Sequence, residues 1–368
     1  MANLKNKDRN PSIELLRILA MIMVIILHNL AGSGALYEQS GFMYQFYWWM
    51  EALCICAVDV FVLISAYFLI NASFNLKNVF RIVAVTLAFS IPLSLLSARL
   101  SGNTLSISAC IKIFFPVLTK KFWFVNAYLA LYLLSPFLNR LLRGLDRKQF
   151  AVLLWIEIGM MILRPTLFPK VWAQDMTAGL SVFFFIALYC IGAWIRLYGF
   201  SWEIHPVQYG ILYLAVSFFL VAVKAALMYF GISEDTASRY YSYDSLFVVL
   251  QALALFLGFL HTKPCNGRRM RIINSIAQYS FAAYIIHYSL NSVLWRQILH
   301  LDRFVGRMST GPLVIIISSV LIFLTSCFLD FLRTRIAIVL RQYIDSTKIG
   351  NWEERQTQKW NRLFNGQQ

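Results

Sequence analysis

Arg17 and His28 stand eleven residues apart in SIELLRILAMIMVIILHN, a stretch otherwise suited to lipid. One group is a fixed cation that can hold an anion; the other is an imidazole that can take or give a proton. Eleven residues at 100° each return to within about 20° of the starting direction, so on a helix the two share a face, separated by a rise of about 16 Å. Glu14, three residues before Arg17, falls on that face as an ion-pair partner. Similar groups recur. Glu51 and Asp59 lie eight residues apart in WWMEALCICAVDVFVLISAYFLI, Lys224 interrupts FFLVAVKAALMYF, and His287 interrupts IAQYSFAAYIIHYSLNSVLW. A charge at bilayer depth costs about 2.5–3.5 kcal/mol on insertion scales, and such residues face a protein interior or a wet cavity and mark functional paths. The plainer reading is an arginine that snorkels, histidines that bond neighbouring helices, and Lys224 paired with Asp59 or Glu51. Five such groups on four helices, His28, Glu51, Asp59, Lys224 and His287, favour the functional one.

The elements that must position these groups follow from composition. Of 368 residues, 59% are hydrophobic and 14% charged, and the mean hydropathy is +0.64. Apolar stretches long enough to cross a bilayer recur along the chain. The expected fold is all-α, a polytopic integral membrane helical bundle. Its ten or so transmembrane helices fall near 12–32, 43–71, 78–98, 122–142, 149–167, 178–198, 207–231, 243–262, 271–298 and 311–341. The stretch LSISACIKIFFPVL is too short to span and reads as interfacial or re-entrant. Residues 1–343 form the membrane domain, and 344–368 a cytoplasmic polar tail whose Trp352, Trp360, Leu363 and Phe364 either lie along the membrane surface or leave it unstructured. The first apolar stretch is too long for a signal peptide and lacks a cleavage site, so no cleavable signal is expected. The formal net charge of +16 fits Lys and Arg gathered on cytoplasmic loops, not nucleic-acid binding; with the N-terminus inside, the inner segments hold most of the Lys and Arg, which puts both termini in the cytoplasm. Lys120 and Lys121 run against that bias. The six cysteines are scattered, so neither a metal site nor a disulfide framework is expected.

Four stretches carry a family resemblance. LLRILAMIMVIILHN resembles the first-helix signature of the membrane acyltransferase 3 family, an Arg, ten residues and a His. AVDVFVLISAYFLI is similar to that family's second-helix segment, KKFWFVNAYLALYLLSPFLNRLL to its Trp-Phe, Tyr, Leu-Tyr, Pro-Phe segment, and SFAAYIIHYSL to its late Tyr-Leu-Ile-His segment. They occur in the family's order, and the span layout matches over nearly the whole chain. Ala57 and Ala66 stand where the family has glycines, and Lys77 and Arg81 where it often has paired arginines.

The resemblance implies an integral membrane enzyme that moves an acyl group, most often acetyl from acetyl-CoA, onto a hydroxyl of a cell-surface or lipid-linked glycan. It would be a multi-pass protein of a bacterial cytoplasmic membrane, surrounded by membrane lipids. Arg17, Lys77 and Arg81 are then the residues for the phosphates of acyl-CoA on the cytoplasmic side. His28 becomes the general base for the acceptor hydroxyl, or a nucleophile forming an acyl-histidine. Asp59 becomes a group to orient the His28 ring, or a salt-bridge partner. His287 would serve the acceptor or the oxyanion, or hold a structural hydrogen bond. The alternative is a transporter or flippase of a lipid-linked glycan, which predicts internal repeats that the sequence does not show.

Overall fold

The computed structural model describes residues 10–365 apart from 103, 120, 169–178, 200–203, 264, 266 and 345–347. Lys120 and the 343/344 domain junction therefore fall at or beyond the edge of the described residues. Among those residues every regular element is helical. Among the described residues seven helical segments are long and apolar enough to cross a membrane: Pro11–Gly32, Gly41–Leu69, Leu76–Leu100, Arg147–Leu167, Pro206–Tyr229, Glu234–His261 and Gly311–Val339. The other three expected spans are helical but shorter or more polar. Trp123–Gly144 turns polar from Asn139 onward, Val182–Tyr198 has 17 residues, and 271–298 is divided among three pieces.

The helix α1 (Pro11–Gly32) lies in the middle of the bundle. Asn10 caps it, its side chain accepting from Ser12 N at 3.0 Å, with Pro11 in the first turn. These are the residue types that start helices. Around it pack α2 (Gly41–Cys54), α3 (Ala57–Leu69), α10 (Leu246–His261), α11 (Arg268–Ala277), α12 (Ser280–Ser292) and α13 (Gly311–Ile344). Ile13, Leu16, Ala20, Ile25 and Leu30 are wholly buried. A central helix meets protein on most sides, which is where polar groups are tolerated at membrane depth. The remaining helices are α4 (Leu76–Leu100), α5 (Ile107–Phe114), α6 (Trp123–Gly144), α7 (Arg147–Ile158, continued to Leu167 through a π-helical turn), α8 (Val182–Tyr198), α9 (Pro206–Tyr229) and α14 (Lys348–Asn365).

The expected span 43–71 breaks at Ile55–Cys56, between α2 and α3, with neither Pro nor Gly at the break. Other helices satisfy the carbonyls near it. Gln251 Nε2 of α10 donates to Ala52 O at 2.9 Å, and Tyr213 OH of α9 donates to Leu53 O. In lipid, a helix can break only where such partners are supplied. Below the break, Gly192 of α8 packs on Ala66 of α3: a Cβ at Gly192 would stand 2.6 Å from the Ala66 methyl. The close approach that a family glycine would give on α3 is supplied here by the glycine opposite.

The segment expected as a polar tail forms α14. Asn361 Oδ1 accepts from Leu76 N at 2.9 Å, at the first turn of α4. The Phe364 ring lies 4.7 Å from that of Phe74 and 5.7 Å from that of Phe137, centroid to centroid. Lys121 donates to Ser94 Oγ, and burial lowers its pKa.

Candidate active site

His28 sits one turn before the end of α1, and its Nδ1 is held from two sides. Its Nδ1 lies 2.8 Å from Val24 O, four residues back on the same helix. His287 of α12 comes from the other side, its Nε2 3.1 Å from His28 Nδ1, with ring centroids 4.9 Å apart. Next to it, Asn29 Nδ2 donates to Ser319 Oγ at 2.8 Å and Ser318 Oγ at 3.3 Å, locking the rotation of α1 against α13.

These contacts assign the protons. A carbonyl oxygen only accepts, so His287 Nδ1, 2.5 Å from Ala283 O, carries hydrogen. The neutral ring then has its lone pair on Nε2. That lone pair faces His28 Nδ1, whose hydrogen is shared between Val24 O and His287 Nε2. The lone pair of neutral His28 is therefore on Nε2, which makes no hydrogen bond among the described residues. His287 is wholly buried and His28 partly exposed. The pair is an oriented base, open on one nitrogen, backed by an acceptor that can stabilise the imidazolium formed when His28 takes a proton.

Aromatic rings wall the pair. Tyr288 meets His28 edge-on at 5.5 Å, Tyr284 meets His287 edge-on at 6.0 Å, and Phe122 packs on Tyr288 and Tyr284. From Tyr284 the rings continue through Phe124 and Trp123 to Tyr243. Glu51 and Asp59 both lie within electrostatic reach of Tyr243, and Asp244 within reach of Asp59. Glu51 Oε2, both Asp59 oxygens, Tyr241 OH and Ser245 Oγ are buried with no partner among the described residues. Asp59 makes no hydrogen bond to His28; the side chain that shares a hydrogen with His28 is His287.

The basic candidates lie toward the other end. Arg17, about a third exposed, is 3.6 Å from Glu14, the neighbour its spacing predicts. Lys77 and Arg81 are exposed on the first two turns of α4. That helix packs against α12. Lys224 pairs with neither Asp59 nor Glu51. Its Nζ lies 3.1 Å from Glu234 Oε1, donates to Tyr44 OH, and sits 3.6 Å from the Trp48 ring centroid. Among the described residues no three His, Cys, Asp or Glu gather as a metal site would need.

Sequence reasoning missed Tyr284, Tyr288 and Phe122, although both tyrosines flank His287 in the quoted AAYIIHYSL. It also missed the serine pair on α13 that anchors Asn29.

A family model described as an acyltransferase domain matches residues 10–330. The chain belongs to the acyltransferase 3 family. No curated protein and no solved structure matches it. The matched region holds both histidines, all three basic candidates and the aromatic wall, and stops before α14. This acyltransferase therefore carries its oriented histidine pair within the family domain, on helices suited to a membrane.

Proposed function

We propose that this acyltransferase moves an acyl group, acetyl in the first instance, from cytoplasmic acyl-CoA to a glycan hydroxyl at the opposite face of a bacterial cytoplasmic membrane. The observation that carries this reading is the His28 Nε2 lone pair, left free while Nδ1 is anchored by Val24 O and His287. In the reaction, the acceptor O–H gives its proton to His28 Nε2 as its oxygen bonds to the acyl carbon. The C–S bond of the thioester breaks and CoA leaves as thiolate, to be protonated in turn. His28 Nδ1–H, bonded to His287 Nε2, steadies the transient imidazolium. The reading places Arg17, Lys77 and Arg81 at the donor phosphates, with both termini on that side. It places the acceptor against the aromatic wall and the unpaired groups around Asp59, where rings can stack on sugar faces.

Mass spectrometry of surface and lipid-linked glycans from cells with and without the protein tests the activity. An acyl mass that disappears with the protein is expected. Lost glycan export with unchanged acylation would favour the flippase. Acetyl-CoA binding to purified Arg17→Ala tests the donor side; weaker binding by a folded protein is expected, and unchanged affinity moves the donor site elsewhere.

A further inference from the structure

A cavity of about 450 Å³ opens between α4, α12 and α13, and His287 forms part of its wall. Its other lining is nearly all hydrocarbon: Leu93 from α4, Ile286 and Leu290 from α12, Leu321 and Leu329 from α13. The few polar groups are His287, Ser318, Thr325 and Ser326. Ser318 Oγ donates to Ile315 O at 3.0 Å and accepts from Asn29. With eleven of its fifteen residues aliphatic, such a wall offers a hydrocarbon chain far more contact than it offers a sugar. From Val314 to Leu329 the lining follows α13 over a rise of about 22 Å, most of a hydrocarbon core of about 30 Å. Its wall near the end of α12 is a π-helical stretch, Val293–Ile298, which widens the helix where Leu294 lines the crevice; π-bulges of this kind gather at functional sites.

The end of the crevice nearest Leu299 and Leu301 is basic. Arg296 lies within the π-helical stretch, and Arg303 and Arg307 follow Leu301. Arg296 is 3.5 Å from Glu38. Arg303 and Arg307 are exposed and form no ion pair among the described residues, with Asp302 the acid beside them in sequence. A long apolar slot with arginines at one end matches a lipid with a hydrocarbon tail and a phosphate head.

We propose that this crevice binds the tail of a phosphate-headed lipid from the leaflet at the His28 end, its head held by Arg303 and Arg307. A sugar carried on that phosphate would be delivered beside the histidine pair. This last step rests on the acyltransferase reading; the binding itself does not.

The test uses the full chain in nanodiscs with an isoprenyl phosphate bearing a diazirine in its tail. After irradiation, peptide mass spectrometry should place adducts on the α12 and α13 residues lining the crevice. Leu321→Trp and Ile317→Trp, at exposed lining positions where the fold should tolerate the ring, should each suppress them. The Arg303→Gln/Arg307→Gln variant should lower labelling roughly tenfold or more, as expected for losing two cations at a membrane surface. His28→Asn should label like the wild type, which separates binding from chemistry. Adducts spread evenly over lipid-facing helices such as α9 would overturn the proposal. So would equal crevice labelling by a probe of the same tail with an uncharged head.

Discussion

Two buried polar clusters stand on α1, α2, α9 and α12, and they use their hydrogen-bonding capacity in opposite ways. Around Lys224, every direction is taken. The ammonium meets Glu234, Tyr44 and the faces of Trp48 and Tyr44. Around His28, one nitrogen is tied down twice and the other is bound to nothing among the described residues. The first cluster keeps a charge in an apolar helix by surrounding it. The second keeps a base available by surrounding only half of it. Burial of an ionisable group therefore marks chemistry only when part of its valence is left over.

The sharpest way to break this contrast is His28→Asn. Asparagine retains polarity and rough size but cannot act as a base, and general-base assistance is worth about 10²–10⁴-fold in rate. Acyl transfer should fall by that order in cells, measured as glycan acyl mass, while donor binding and folding persist. Near-normal acylation would reduce the histidine pair to packing. Transient labelling of His28 by a radiolabelled acyl donor in quenched reactions would instead assign it the nucleophile's role.

A smaller loss is expected at His287, which acts through His28. His287→Ala removes the acceptor that orients Nδ1–H, and small misplacements of a reacting group cost about 10²-fold. His287→Gln should recover part of that, because its amide oxygen can accept the same bond. The loss should appear in kcat with the donor KM nearly unchanged. If Gln rescues nothing, His287 does more than position its partner.

Least should follow from Lys224→Met. The ion pair and ring contacts go, but Glu234 is 43% exposed and can turn to water. The loss is about 1 kcal/mol, read as a modest drop in thermal stability in detergent. Activity per folded molecule should be unchanged. A large activity loss with unchanged stability would mean that the saturated cluster, too, takes part in the reaction.

The helical membrane architecture was legible because it depends on local composition and period. The shared face of Arg17 and His28 follows from helix arithmetic alone, as does the Glu14 contact. What escaped depends on distant residues meeting. Nothing in the spacing links His28 to His287, 259 positions away. Lys224 was matched to acids within the spans, whereas Glu234 reaches it because the chain turns back at Gly231, a glycine at φ 80°. The break at Ile55–Cys56 has no local breaker, since its partners, Gln251 and Tyr213, come from elsewhere in the bundle. The short helices 182–198 and 280–292 read as full spans because apolar composition continues past their ends.

The contact between Asn361 and Leu76 joins residues 285 positions apart, and this sets an order on biogenesis. The first turn of α4 leaves the ribosome long before its partner exists. Until then its amide must be served by water at the membrane boundary, which is available there and nowhere deeper. The early half of the bundle can therefore insert with α4 incompletely capped, and the docking of α14 becomes a late step that closes a structure already in place. A chain ending before residue 361 should be membrane-integrated, with Asn75 and Asn78 still held by Tyr132 and only the Leu76 amide left to water, a state that hydrogen exchange at Leu76 can see.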